Sequence, residues 1–131
     1  MAAEFEIQKA LYSALTALGL RVYDSAPQTA DGGSTANFPY VEVGAIVLAP
    51  MDTKDRNGFD MAARIHTRSR SGSMKEAKDI QGQIYARLHH GDLTITGQSL
   101  ILLRRETSDV TRAADGSFHG ICEYRGLIET A

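Results

Sequence analysis

The stretch FDMAARIHTRSRSGSMKEAKDIQG, residues 59–82, alternates apolar and basic positions, then breaks into a Ser/Gly hinge ahead of a second, differently patterned run. Three readings compete for it: a basic ladder that holds nucleic acid, the edge of a catalytic site, or the wet side of a sheet. Successive side chains on a strand point to opposite faces, so Phe59, Met61, Ala63, Ile65 and Thr67 share one face and Asp60, Arg64, His66 and Arg68 the other. That period of two predicts a half-buried strand.

The flanking segments extend the pattern. Upstream, YVEVGAIVLAP (40–50) alternates with Val41, Val43, Ala45 and Val47 on one face, and Pro50 stops the ladder because it has no N–H to donate. The charged loop MDTKDRNG joins the two runs, and its Asn57-Gly58 pair tolerates positive φ, so an antiparallel hairpin is expected. Downstream, Ser73 and Glu76 have the spacing of a capping box, and Met74, Ala77, Ile80, Ile84 and Leu88 form the apolar stripe of a helix that Gly91 closes. Gly82 costs such a helix about 1 kcal/mol relative to Ala, which suggests a close packing contact there.

At the N-terminus, Ile7, Leu11, Ala14, Leu15 and Leu18 fall on one side of a helix that ends at Gly19. LRVY then predicts a short strand and DSAPQTADGGSTANFP the longest loop. After the second helix, LTIT, QSLILLRRETSDV and SFHGICEYRGLIE read as three strands, with Asp115-Gly116 turning the chain between the last two. The expected fold is α+β in the order αβββαβββ: a single, mostly antiparallel or mixed sheet with two amphipathic helices packed on one face. A chain of 131 residues forms one domain, 1–131, able to bury its own core. The other face would leave Tyr40, Ile46, Leu48, Ile121 and Leu127 exposed, which points to a partner or a second copy.

Fourteen Lys and Arg against sixteen Asp and Glu remove the basic signature of bulk nucleic-acid binding. The single Cys122 cannot close an internal disulfide, consistent with a reducing cytoplasm. No segment has the length and apolarity of a bilayer span or the layout of a secretory signal, so a soluble, unexported protein is expected. There is no G-x-S-x-G, no H-E-x-x-H and no phosphate-cradling glycine loop, hence no catalytic residue, cofactor or metal is assigned and no enzyme is expected. His89 and His90 sit at a helix C-terminus, where contact with free carbonyls is the ordinary role, and His66 and His119 read as solvated strand residues. Arg64, His66 and Arg68, with Arg104 and Arg105, form the one basic set. Their strand carries no outward aromatic on which bases could stack, so a solvated face or a protein interface, answered by acids such as Asp24, Glu42, Asp52 and Asp55, is favoured over a nucleic-acid site.

The blocks LGLRVYDSAP, FPYVEVGAI, AARIHTRS and SMKEAKDIQGQIYARLHHG, in this order and spacing, resemble the tail-completion or tail-terminator family of long-tailed bacteriophages and gene transfer agents. The RVY, P and PYV pattern and the EA near the start of the second helix carry most of the likeness, which spans nearly the whole chain. The resemblance implies an α+β fold and a structural role: a hexameric ring at the head-proximal end of the tail tube, in contact with tube protein and with a neck or stopper protein, with DNA passing unread through the bore. It implies no catalysis, and places the protein at the tail–neck junction of a particle assembled in the bacterial cytoplasm. A neck or head-completion adaptor, or a small nucleic-acid-binding protein using the Arg64, His66 and Arg68 face, are the alternatives.

Under this resemblance Arg64, His66, Arg68, Arg104 and Arg105 are expected at a subunit contact or the bore. The hairpin tip Met51, Asp52, Thr53, Lys54, Asp55, Arg56 and Asn57 is expected to dock on the tube. The insert QTADGGSTAN departs from the family pattern, and its Gln28, Thr29, Asp31, Ser34 and Asn37 are expected to form an arm reaching a neighbouring subunit.

Overall fold

The computed structural model describes residues 3–23, 38–51 and 57–130. The elements run α1 (Ala3–Thr16), β1 (Val22–Tyr23), β2 (Tyr40–Pro50), β3 (Gly58–Ser69), α2 (Lys75–Leu88), β4 (Gln98–Arg112) and β5 (Phe118–Thr130). The strands form a five-stranded sheet in the order β1-β2-β3-β5-β4. Only β1 and β2 pair in parallel; every other neighbour is antiparallel.

The alternation in β3 is the axis of the fold. Met61, Ala63, Ile65, Thr67 and Ser69 are buried, whereas Arg64 is exposed and Asp60, His66 and Arg68 are half-buried on the opposite face. The buried row meets Val41 and Val43 of β2 and Cys122, Tyr124 and Ile128 of β5, and both helices cover it with Ile7, Leu11, Leu15, Ile80, Ile84 and Leu88. Removing each such side chain from water contributes about 1.5–3 kcal/mol, so this single layer dominates the stability. At the end of α1, Gly19 takes φ +83° as expected for the residue closing a helix.

β2 departs from strict alternation. Val43 pairs with Ile65 but Ile46 with Ala63, so two residues, Gly44 and Ala45, stand where the partner strand has one. Such a bulge moves every later side chain to the other face. Val41 and Val43 therefore lie in the core while Val47 is 61 % exposed, and Ile46 and Leu48, expected outside, pack against the core. Within the bulge, position 44 is a glycine, where a Cβ would come within 2.7 Å of the His66 ring. Tyr40 also differs from expectation: it is buried, its ring edge-on to those of Tyr23 and Phe38 at 5.4 and 5.0 Å.

Four further expectations are corrected. LTIT contributes one isolated bridge, Ile95 to Gln98, in place of a strand, so the second half of the chain supplies two strands. The capping box does not form: α2 begins after Met74 with no side-chain cap, and Glu76 instead accepts a 2.6 Å hydrogen bond from the hydroxyl of Ser69 at the end of β3. That bond ties helix to sheet across the hinge. At the other end of α2, His90 takes the left-handed turn at φ 56°, and Gly91 follows because a Cβ there would strike the Arg87 carbonyl. Gly82 has open space over it, with nothing within 4 Å of a built Cβ, so no contact inside this chain explains it. The Asp115-Gly116 turn forms as expected, closed by Asp115 Oδ1, which accepts from both the backbone N–H and the hydroxyl of Ser117.

The bulge makes a prediction for denaturant unfolding. Val43→Ala should lose on the order of 2 kcal/mol, whereas Val47→Ala, the same change four residues later, should stay within about 0.5 kcal/mol of the parent. Equal losses would show that the face does not reverse.

Candidate functional site

The face of the sheet that the helices leave open carries the basic set. The structure divides that set: Arg64, His66 and Arg68 stand on the open face, and Arg104 joins them because it lies opposite Arg125. Arg105, the next residue along β4, points to the helix side, where its guanidinium lies 4.3 Å from the centre of the Tyr85 ring. Neighbouring residues on a strand cannot share a face, and the paired arginines of the sequence therefore serve two surfaces.

Three of the open-face arginines are answered within the chain. Arg64 pairs with Glu123 at 3.5 Å and Arg125 with Asp60 at 2.8 Å, while Glu106 holds Arg104 at 3.0 Å and approaches Arg125 at 4.0 Å. Asp24, Asp52 and Asp55, expected to supply acids, lie outside the described residues; Glu42 faces His66 across β2 and β3. The face is a mosaic of both signs, and a phosphate backbone would meet carboxylates beside Arg64, Arg104 and Arg125. Exposed pairs of this kind add at most about 1 kcal/mol each to stability, so their chief effect is to set the charge pattern a partner meets.

His66 and His119 are not separate solvated residues. Their rings stack at 5.1 Å and share one hydrogen bond, His66 Nδ1 to His119 Nε2, at 2.9 Å. Partial burial lowers the pKa of His66 below the ordinary 6.5; Glu42 opposes the shift, and Arg68 and Arg64 reinforce it. Burial likewise lowers His119, with Arg68 and His66 adding to the effect and Glu42 opposing it. The shared bond requires at least one neutral ring, since two imidazolium groups have no acceptor between them.

On the helix side, the chain after α2 is stitched to β4. His90 N–H donates to Leu103 O at 2.7 Å, and Arg105 N–H donates to His89 Nδ1 at 3.1 Å. The His89 ring thus binds a backbone N–H of a strand, not the free carbonyls expected for it. Among the described residues no three of His, Cys, Asp and Glu gather as metal ligands. Cys122 is buried, and burial raises its pKa, which keeps it in the unreactive thiol form. No described helix is long and apolar enough to cross a membrane. Of the tip residues, Met51 and Asn57 lie at the β2–β3 end, while Asp52, Thr53, Lys54, Asp55 and Arg56 are outside the described residues, as are Gln28, Thr29, Asp31, Ser34 and Asn37.

The acids that neutralise the ladder and the histidine pair were missed because both depend on register between strands distant in sequence. The only local signal was the alternation of Glu123 and Arg125 in CEYRGL.

The chain is thus a helix-backed sheet of the α+β class whose outer face is a mosaic of paired charges. The chain belongs to the family Tail completion protein gp17, whose pattern it matches over residues 7–129. No curated protein shows a significant match to it. In structure it is similar, with a TM-score of 0.81 and 23 % identity over 98 % of each chain, to a chain of the "Virion of native gene transfer agent (GTA) particle". A second solved chain matches with a TM-score of 0.54 and 11 % identity, over 98 % of this chain and 92 % of that one. Membership of a tail-completion family, expected from the sequence blocks, is thereby established.

The histidine pair makes a prediction. Because both folded-state pKa values lie below 6.5, the unfolded chain takes up protons first as pH falls, so stability is full above about pH 6.5 and declines below it. His89 is shifted in the same direction. His66→Gln with His119→Gln should therefore shrink, without abolishing, the drop in denaturation midpoint between pH 7 and 5 (window of about two units). Imidazole titrations by NMR with midpoints above 6.5 for both rings would contradict the assignment.

Proposed function

We propose that this chain is a structural component of a phage-type particle that closes into a ring on the head-proximal end of the tail tube, stops tube growth and provides the seat for the neck. The observation that carries this reading is the family match across 7–129, which leaves almost nothing of the chain outside the tail-completion pattern. The likeness to a chain of a gene transfer agent virion supports the same setting.

The geometry suits a ring. Its two lateral edges are different, β1 and β2 on one side and β4 on the other, so contact between copies is head-to-tail, the kind that closes by rotation. In this reading the open face with Arg64, His66, Arg68 and Arg104 lines the bore or a subunit contact, and its alternating charges let DNA slide past without a fixed grip. Arg105 belongs to the lateral side. The Met51–Asn57 stretch, which joins β2 to β3 in sequence, docks on the last tube ring, while the opposite rim, lacking a tube-like surface, ends polymerisation. The neck or stopper protein binds that rim.

Particles produced without this chain should contain filled heads that carry no tails and free tubes of irregular length, both scored by negative-stain microscopy. Replacing residues 52–56 with a short Gly-Ser turn should reproduce the irregular tubes while leaving the purified protein folded. Normal tail lengths and joined heads in the absence of the chain would overturn the proposal.

A further inference from the structure

The strands β2 and β4, on opposite lateral sides of the sheet, each carry a bulge, and each bulge leaves a branched apolar side chain in solvent. On β2 the extra residue at Gly44 and Ala45 turns Val47 to the open face, 61 % exposed, with exposed Ala49 and Pro50 after it. On β4 the register shift between Leu100 and Leu102 leaves Ile101 without a partner on β5, 58 % exposed, beside Leu102 at 39 %. Edge strands are ordinarily blunted by charged side chains, and here apolar ones stand in their place. The two patches lie on one row of the sheet: Ala49 is aligned with Asp60, Asp60 with Leu127, and Leu127 with Leu102. β2 and β4 stand three strand spacings apart, about 14 Å. The ion pair of Arg125 with Asp60 at 2.8 Å lies between them, so the patches do not cover each other within one chain.

Strand addition is not the way these edges meet a partner. Pro50 has no N–H to offer on β2, and on β4 the Leu103 carbonyl already accepts from His90 while the Arg105 N–H donates to His89 Nδ1. Contact through side chains is what remains. β1 does not intervene, because its two residues pair with Val41 and Glu42, short of Val47. Each pairing from β2 through β3 and β5 to β4 is antiparallel, so β2 and β4 run in opposite directions. A head-to-tail copy therefore sets one edge against the other with the strands antiparallel and the open faces on the same side. That operation brings patch to patch at the same end of the sheet, whereas an unrelated partner would need only one of them. We infer that Val47, Ala49 and Pro50 of one copy pack on Ile101 and Leu102 of a second copy. The paired charges beside them, Asp60 with Arg125 and Arg104 with Glu106, form the polar rim of this contact. The inference rests on the ring reading above and specifies the contact that closes it.

The test uses the full chain, purified and in particles. Val47→Lys and Ile101→Lys each put a charge into the contact but into solvent on the free chain. The denaturation midpoint should therefore stay at the parent value while the fraction of head-joined particles falls about tenfold. Val47→Lys combined with Ile101→Glu in one chain sets opposite charges against each other at every junction and should restore most of the joining. Such a recovery separates a second copy from any other partner. Val47→Cys with Ile101→Cys, treated in assembled particles with a short bismaleimide, gives a reading independent of the charge variants. It should yield a ladder of linked copies, and neither single variant should, because Cys122 is buried. Single charge variants that join normally, a combined variant as defective as the single ones, or no ladder would overturn this contact while leaving the ring reading intact. Particles of the parent chain in which microscopy finds no ring would overturn the ring reading itself.

Discussion

The structure depends on one constraint: β3 lies near the centre of the sheet and can bury only one of its two faces. Met61, Ala63, Ile65, Thr67 and Ser69 go under the helices, which forces Asp60, Arg64, His66 and Arg68 onto the side no helix covers. A slip of one residue would bury four charged or ionisable groups and expose the core row, at a cost far above the stability of a domain this size. The pairing of β3 with β2 and β5 then dictates which residues of those strands join each face. The bulge at Gly44 and Ala45 is the local adjustment that turns Ile46 and Leu48 toward the core.

The two faces have different chemistry for that reason. On the open side, carboxylates from β3, β4 and β5 stand beside the arginines, and the result is a patterned but balanced surface. On the helix side, Arg105 stacks on Tyr85, and the edge of β4 is bonded at Leu103 and Arg105 by the turn at His89 and His90. In the proposed ring this division has a use: one face is neutral enough to tolerate passing charge, and lateral edges that differ let copies join in one direction.

Much of this was legible in the sequence. The period of two in 59–69 and the apolar stripes at Ile7, Leu11 and Leu15 and at Ile80, Ile84 and Leu88 gave the elements and their buried sides, because each is a local property of the chain. What stayed hidden was non-local. The alternation of β2 reads as unbroken through Val47 because nothing in GAIV announces a bulge; the reversal follows from the extra residue in the register with β3. Ser73 and Glu76 have capping-box spacing, but Ser69 offers Glu76 a closer donor once β3 and α2 are folded together. Arg104 and Arg105 looked like one basic element, and only the register with β5 separates them. The vacancy over Gly82 likewise has no sequence signature beyond the glycine itself.

The central claim is that copies of this chain form a single closed layer where the tail meets the neck. A cryo-electron microscopy map of purified particles, with this chain located by its fold, tests it most directly. The account predicts one ring of identical subunits at the head-proximal end of the tube, with the sheets turned so that the Arg64 and His66 face borders the channel or the next subunit. Subunits found as isolated copies, in a different layer of the particle, or absent from it would contradict the account.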